Sequence, residues 1–360
     1  MSGTIYSVIR GTGCYIPSRQ IKNEEFLNNE FFETDGSKLG KSSQEIIDKF
    51  FEITTIAERR YITDGQVTSD IAFLAATEAI KDAGIDKEEL DYVICAHNFG
   101  DVKSNNNRSD IVPSLASRVK FKLGIQNPDC VAYDLTFGCP GWLQAVIQAD
   151  YFIRSGDAKK ILVIGAEALS RVSDPHDRDS MLYADGAGAT VLEARQSDTP
   201  LGIIAHKTRS DTLLYSQMLH MDKSFNPEHL PSEDLYLKMN GRRLYQYALD
   251  TVPQAMKACL EKCNIHLSEI KTVLIHQANG KMDDAILKRL YSLYGIKDIP
   301  ENVMPMTISW LGNSSVATLP TLFDLVLKNK VEFHEILPGD TILFASVGAG
   351  MNINAFVYKV

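Results

Sequence analysis

Two stretches lying half a chain apart share one pattern of apolar and polar positions. Residues 75–98, AATEAIKDAGIDKEELDYVICAHN, read as an amphipathic helix, a short link, an acidic turn and an apolar strand. Residues 255–279, AMKACLEKCNIHLSEIKTVLIHQAN, repeat that order. Ala83, Gly84 and Ile85 align with Cys263, Asn264 and Ile265, and Val93 aligns with Val273. Past each strand the likeness continues. YDLTFGCPGWLQAVIQADYFIRSG and MTISWLGNSSVATLPTLFDLVLKNK each read as a strand, a glycine (Gly138, Gly312) and a polar residue (Cys139, Asn313) that opens a helix. Both halves then reach strands ending in small residues, ILVIGAEA (161–168) and TILFASVGAG (341–350). The pattern predicts a duplicated α/β unit with largely parallel sheets and helices packed on them. The boundary is expected within EARQSDTPLG, dividing the chain into 1–196 and 197–360. Polar segments at 33–44 and 100–110 are expected to be long loops.

Composition narrows the setting. The 360 residues are 44% hydrophobic and carry a net charge of -9, which argues against free nucleic acid as a general partner. The N-terminal stretch MSGTIYSVIRGTGCYIP reads as a strand and turn, not a signal peptide, and no apolar run is long enough for a membrane span. The six cysteines lack metal-ligand spacing; reduced thiols in a cytoplasmic protein are expected.

One cysteine has an unusual setting. Pro140 suits a first helical position, and Trp142, Leu143, Val146, Ala149 and Ile153 form the apolar side of the helix it starts. Arg154 and Gly156 suit its C-terminal end. Cys139 is therefore placed at a helix N-terminus, where free N–H groups favour a thiolate, although an inert core thiol fits the same local pattern. His276 ends the strand KTVLI, and Asn313 taken alone is simply a helix N-cap. In the duplicated arrangement, Cys139 and Asn313 fall at equivalent strand-to-helix junctions and His276 at a strand end. Ligand sites of α/β sheets gather at such ends. A thiol, an imidazole and an amide in one cleft would suit acyl transfer through a thioester.

GCPGWLQAV, HQAN (276–279) and GNSS (312–315), with SDPHDRDSMLYADGAGATVL (173–192) and LKMNGRRLYQYAL (237–249), resemble β-ketoacyl-acyl-carrier-protein synthase III in order and across nearly the whole chain. The resemblance implies the thiolase fold, with two pseudo-symmetric βαβαβαββ halves in a five-layered α-β-α-β-α arrangement, and a homodimer. It implies a decarboxylative Claisen condensation in which Cys139 holds the acyl group. His276 and Asn313 would donate hydrogen bonds to the malonyl thioester oxygen, and main-chain N–H groups of Cys139, Ala349 and Gly350 would form the oxyanion hole. No metal or resident cofactor is implied; acyl-CoA or an acyl-carrier protein thioester is substrate. FASVGAGMN lacks the second cysteine of a degradative thiolase, and Asn313 stands where elongating enzymes have a second histidine. Arg178 matches a CoA-contacting arginine. Lys49 and Ile53 replace the tryptophan and arginine that hold adenine, which leaves a carrier-protein donor open. Val112 stands where a bulky residue from the partner subunit often limits acyl length, so a larger acyl group is expected. Lys281, Lys288 and Arg289 match the basic patch that docks acyl carrier protein, though a solvated helix face explains them equally. A specialised condensing enzyme of resorcinol- or quinolone-type lipid or polyketide synthesis, and a catalytically silent subunit of the same fold, are the alternatives to initiation of fatty acid synthesis.

Overall fold

In this computed structural model, which describes residues 3–360, the first half lays down β1 (Thr4–Tyr15), α1 (Ser43–Thr54), α2 (Thr68–Ala83), β2 (Tyr92–His97), α3 (Leu115–Leu123), β3 (Val131–Thr136), α4 (Gly141–Ser155), β4 (Lys160–Ala168) and β5 (Asp185–Ser197). The second half follows with β6 (Gly202–Ser210), α5 (Gly241–Lys262), β7 (Thr272–Ile275), α6 (Gly280–Ser292), α7 (Thr318–Leu327), β8 (Thr341–Gly348) and β9 (Asn352–Lys359). The first sheet has the order β1-β5-β4-β2-β3 and the second β6-β9-β8-β7. β2 runs parallel to β3 and β4, and β7 parallel to β8. β5 and β9 are each antiparallel to both neighbours.

Alternation along the strands assigns the faces. Ile94, Ile161 and Val163 of the first sheet turn toward Leu274, Ile342, Phe344 and Phe356 of the second, with α4 and α7 between them. Their neighbours Val93, Cys95, Leu162 and Ile164 pack outward beneath α2 and α3. Val273, Ile275, Leu343 and Ala345 pack outward beneath α5 and α6. A period of two thus divides each strand between two cores, and the layers run α-β-α-β-α. This is the thiolase fold. The residues expected on the apolar side of α4 are all buried, and so are Ala145 and Ile147, because sheets cover the helix on both sides. Gly156, at φ +83, ends α4 in the left-handed conformation and returns its N–H to Ile153. Among the described residues no helix is long and apolar enough to cross a membrane.

Two local expectations differ from the structure. Residues 100–110 form a short hairpin, Asp101–Lys103 against Asn106–Asp110, rather than an open loop. Arg118 clamps it, donating to Asp101 and Asp110 at 2.6 Å each, and Asp101 also accepts from the N–H and hydroxyl of Ser69. MTISW is not a strand; Ile308–Leu311 is a helical turn. The buried side chain of Gln277 supplies what a strand ladder would have supplied. It donates to the Pro305 carbonyl (2.8 Å) and accepts from the N–H groups of Thr307 (2.9 Å) and Ile308 (3.0 Å). Asn313 consequently lies between that turn and the 3₁₀ turn Ser315–Ala317 that leads into α7, so its junction is not equivalent to that of Cys139.

Gln277→Leu keeps the volume and strands three buried main-chain groups, each costing roughly 1–3 kcal/mol. Urea unfolding is expected to show a loss on the order of 3 kcal/mol, and a loss below ~1 kcal/mol would show that the side chain is not what holds 305–308.

Candidate active site

Two strand-end turns, one from each half, meet by their main chains. After β3 the chain turns at Gly138, at φ +70, into Cys139 and α4. From the other sheet β8 ends at Gly348. A Cβ on Gly348 would lie 2.6 Å from the Cys139 nitrogen, and one on Gly138 would lie 2.8 Å from the Ala349 nitrogen. Only glycine permits that approach from both sides. Cys139 and Ala349 border the same cavity; Gly350 is not among its lining residues.

A chain of hydrogen bonds reaches the sulfur. The Ser315 hydroxyl donates to Cys139 Sγ (3.3 Å), and Asn98 Nδ2 donates to Ser315 Oγ (3.1 Å). Asn98 is held in turn by Glu167, whose Oε2 accepts from its Nδ2 (2.5 Å) and its N–H (2.9 Å). Burial pushes the Cys139 thiol up to about 11; the Ser315 hydrogen bond pulls it down, and the Glu167 charge pushes it further up. The expectation that the helix start leaves a thiolate is therefore corrected: desolvation of the buried sulfur outweighs it. Burial likewise lifts Glu167 to about 7, against the opposing effects of His97 and Asn98.

His276 and Asn313 line the same cavity, of about 230 Å³, together with Cys139. Burial alone lowers His276 to about 4, so its ring is neutral near pH 7. Its Nδ1 is buried without a partner, which leaves Nε2 as the nitrogen that meets the cavity. Asn313 is tied to the first half by its N–H to Leu182 (2.9 Å) and its carbonyl from Ala184 (2.8 Å). Its Oδ1 accepts from the Ser315 N–H (2.9 Å), so the amide NH₂ is the end left to donate. Apart from Asn98, Ser315, Tyr183 and His220, the rest of the lining is apolar. Leu219 and Met221 face Leu237 and Met239 on a hairpin that the sequence did not announce. Lys238 pins that hairpin through a buried pair with Asp174 (2.5 Å) and a longer one with Asp177 (3.4 Å).

A second cavity of about 480 Å³ adjoins the first; the two share Met239, Leu244, Ala278, Met282 and Asn313. Its rim carries Lys41, Lys49, Arg178 and Arg242, with Ile53 beside Lys49. Val112 is elsewhere: it is 82% exposed and borders neither cavity in this chain. Lys281 and Lys288 are exposed on α6, pairing with Glu52 (3.7 Å) and Asp284 (2.5 Å), while Arg289 lies in its last turn. Sequence reasoning missed Ser315, Asn98 and Glu167. Glu167 had a visible signal, a lone acid inside the apolar run ILVIGAEA.

The model of 3-oxoacyl-[acyl-carrier-protein] synthase III matches residues 133–212, and the model of its C-terminal part matches residues 260–360. The chain is 33% identical to β-ketoacyl-[acyl-carrier-protein] synthase III 1 of Vibrio parahaemolyticus over 99% of its own length and 100% of that protein's. It is 32% identical to a β-ketoacyl-[acyl-carrier-protein] synthase III of Clostridium perfringens, covering 97% of this chain and 98% of that one. The crystal structure of 3-oxoacyl-[acyl-carrier-protein] synthase III from Aquifex aeolicus superposes with a TM-score of 0.78 at 29% identity, covering 98% and 100% of the two chains.

Alkylation of Cys139 by iodoacetamide should rise with pH well past 8, because a raised thiol yields thiolate only near its own pKa. Ser315→Ala removes the donor and should slow alkylation at pH 8 roughly fivefold, the worth of a ~1 kcal/mol hydrogen bond. A rate equal to the parent's would show that the hydroxyl does not act on the sulfur.

Proposed function

The chain belongs to the 3-oxoacyl-[acyl-carrier-protein] synthase III family, and on that premise we infer that it joins an acyl group to a malonyl thioester with loss of CO₂, giving the β-ketoacyl thioester that begins fatty acid synthesis. It is an acyltransferase. The observation that supports the assignment of roles is the sharing of one cavity by Cys139, His276 and Asn313. Cys139 attacks the acyl thioester; a C–S bond forms on the enzyme and the donor thiol leaves with a proton. Malonyl thioester then enters. Its C–C bond to the carboxylate breaks, CO₂ departs, and the electron pair moves onto the thioester oxygen as an enolate. His276 Nε2–H and the Asn313 amide donate to that oxygen; a neutral imidazole suits the task because it keeps a donor without adding charge. The enolate carbon attacks the acyl-Cys139 carbonyl, whose oxygen is received by the main-chain N–H groups of Cys139 and the 349–350 turn. The tetrahedral adduct collapses and Cys139 leaves as thiolate.

The cationic rim formed by Lys41, Lys49, Arg178 and Arg242 suits the phosphate of a CoA or carrier-protein arm. Lys281, Lys288 and Arg289 on the exposed face of α6 are assigned to an acidic acyl carrier protein. Val112 and Ile111, exposed at 82% and 55%, are assigned to the two-fold contact of a homodimer.

Asn313→Ala and His276→Ala should still acquire an acyl group on Cys139, read by intact mass, while malonyl decarboxylation falls about 10²–10³-fold. Decarboxylation at the parent rate would return Asn313 to a loop-capping role. Reversal of Lys281, Lys288 and Arg289 together to Glu should raise KM for malonyl-carrier protein strongly and weaken its salt dependence, with near-parental turnover of a pantetheine thioester. Equal loss on both substrates would mean that the helix face serves folding. Single reversals are expected to show little, since exposed pairs contribute ~0–1 kcal/mol.

A further inference from the structure

The outer cavity holds a carboxylate that the reaction described above does not use. Asp179 follows Arg178 in the 3₁₀ turn Arg178–Leu182 and lines the same cavity as the cationic rim and Asn313. It is half-buried, and its oxygens are open to the cavity rather than sealed in protein. Its N–H is held by the Asp177 carboxylate (2.9 Å), which fixes the turn. Asp177 and Asp174 are occupied by Lys238. Among the described residues, the Asp179 carboxylate receives neither a hydrogen bond nor an ion pair. Burial and the Asp177 charge push it up to about 7, while Arg178 and Lys238 pull it down from a distance. A partly desolvated carboxylate without a donor is costly unless something in the cavity supplies one.

We propose that Asp179 is a substrate-binding residue that accepts a hydrogen bond from the pantetheine arm of the thioester substrates, from the outer amide N–H or the pantoyl hydroxyl. This rests on the condensing reading, which sends such an arm through the outer cavity to Cys139. The geometry is apt on three grounds. The rim cations provide for the phosphate at the outer end of the arm. Met239, Leu244 and Met282 offer only apolar surface to its middle. Asp179 is then the acceptor on that wall with no partner of its own, and the arm is rich in donors. The thioester end lies beyond it, so Asp179 orders the arm and takes no part in bond making.

The test is a graded series, Asp179→Asn and Asp179→Ala, assayed with malonyl-pantetheine and with malonyl-N-acetylcysteamine, which lacks the outer amide and the hydroxyl. With the pantetheine substrate the alanine variant should raise KM about tenfold and the asparagine variant less, since a neutral amide oxygen still accepts. The change should fall on KM rather than kcat and shrink below twofold with the short substrate. Melting temperatures should not drop, because no protein partner is lost. Calorimetric titration with free pantetheine reads the same contact without turnover and should show weaker binding in the series. A parent enzyme that binds pantetheine but does not condense would refute the condensing reading alone. Unchanged KM and unchanged pantetheine affinity, or equal losses on both substrates, would overturn the role of Asp179.

Discussion

Everything at this site depends on the main-chain contact between the turn after β3 and the turn after β8. Gly138 and Gly348 lie so close to the opposite backbone that a methyl group on either would sit under 3 Å from a peptide nitrogen. Cys139 belongs to one half and the apposed Ala349 to the other, while His276 and Asn313 come from the second half alone. The two buried helices between the sheets keep the turns in register: α4 follows directly on Cys139, and α7 follows the loop that holds Asn313. Packing of one extended core thus fixes the spacing of cavity-lining groups that are far apart in sequence.

That closeness has an electrostatic side. The burial that strengthens hydrogen bonds at this cavity also resists the charged forms of Cys139 and His276. The thiol and Glu167 are driven up and His276 is driven down by the same burial. The Glu167–Asn98–Ser315 chain counters this at one point, by aiming a hydroxyl at the sulfur. A neutral resting site fits a reaction whose charges appear only in passing.

The duplicated pattern made the fold legible, because helix and strand periods repeat with the same spacing in both halves and the strands alternate cleanly between two cores. Cys139, His276 and Asn313 stood out through the motifs around them. Three features did not. The strand expected in MTISW is a helical turn because one side chain, Gln277, takes over its hydrogen bonds, and no periodicity records that. The 100–110 hairpin owes its shape to Arg118, whose partners are known only once α3 is in place. The direction of the shift at Cys139 was misjudged because a helix start is visible in sequence and the depth of a cavity is not.

The Gln277 arrangement also bears on how the second sheet ends. β7 is apolar and four residues long, and its outer edge would present unpaired N–H and carbonyl groups. Here Val273 gives its N–H to the Val303 carbonyl at 2.8 Å, and the amide of Gln277 holds the following chain against that side. The outer side of β7 is therefore bordered by the 302–308 segment rather than by a fifth regular strand. One side chain thus sets both the border of the sheet and the shape of the loop beside it.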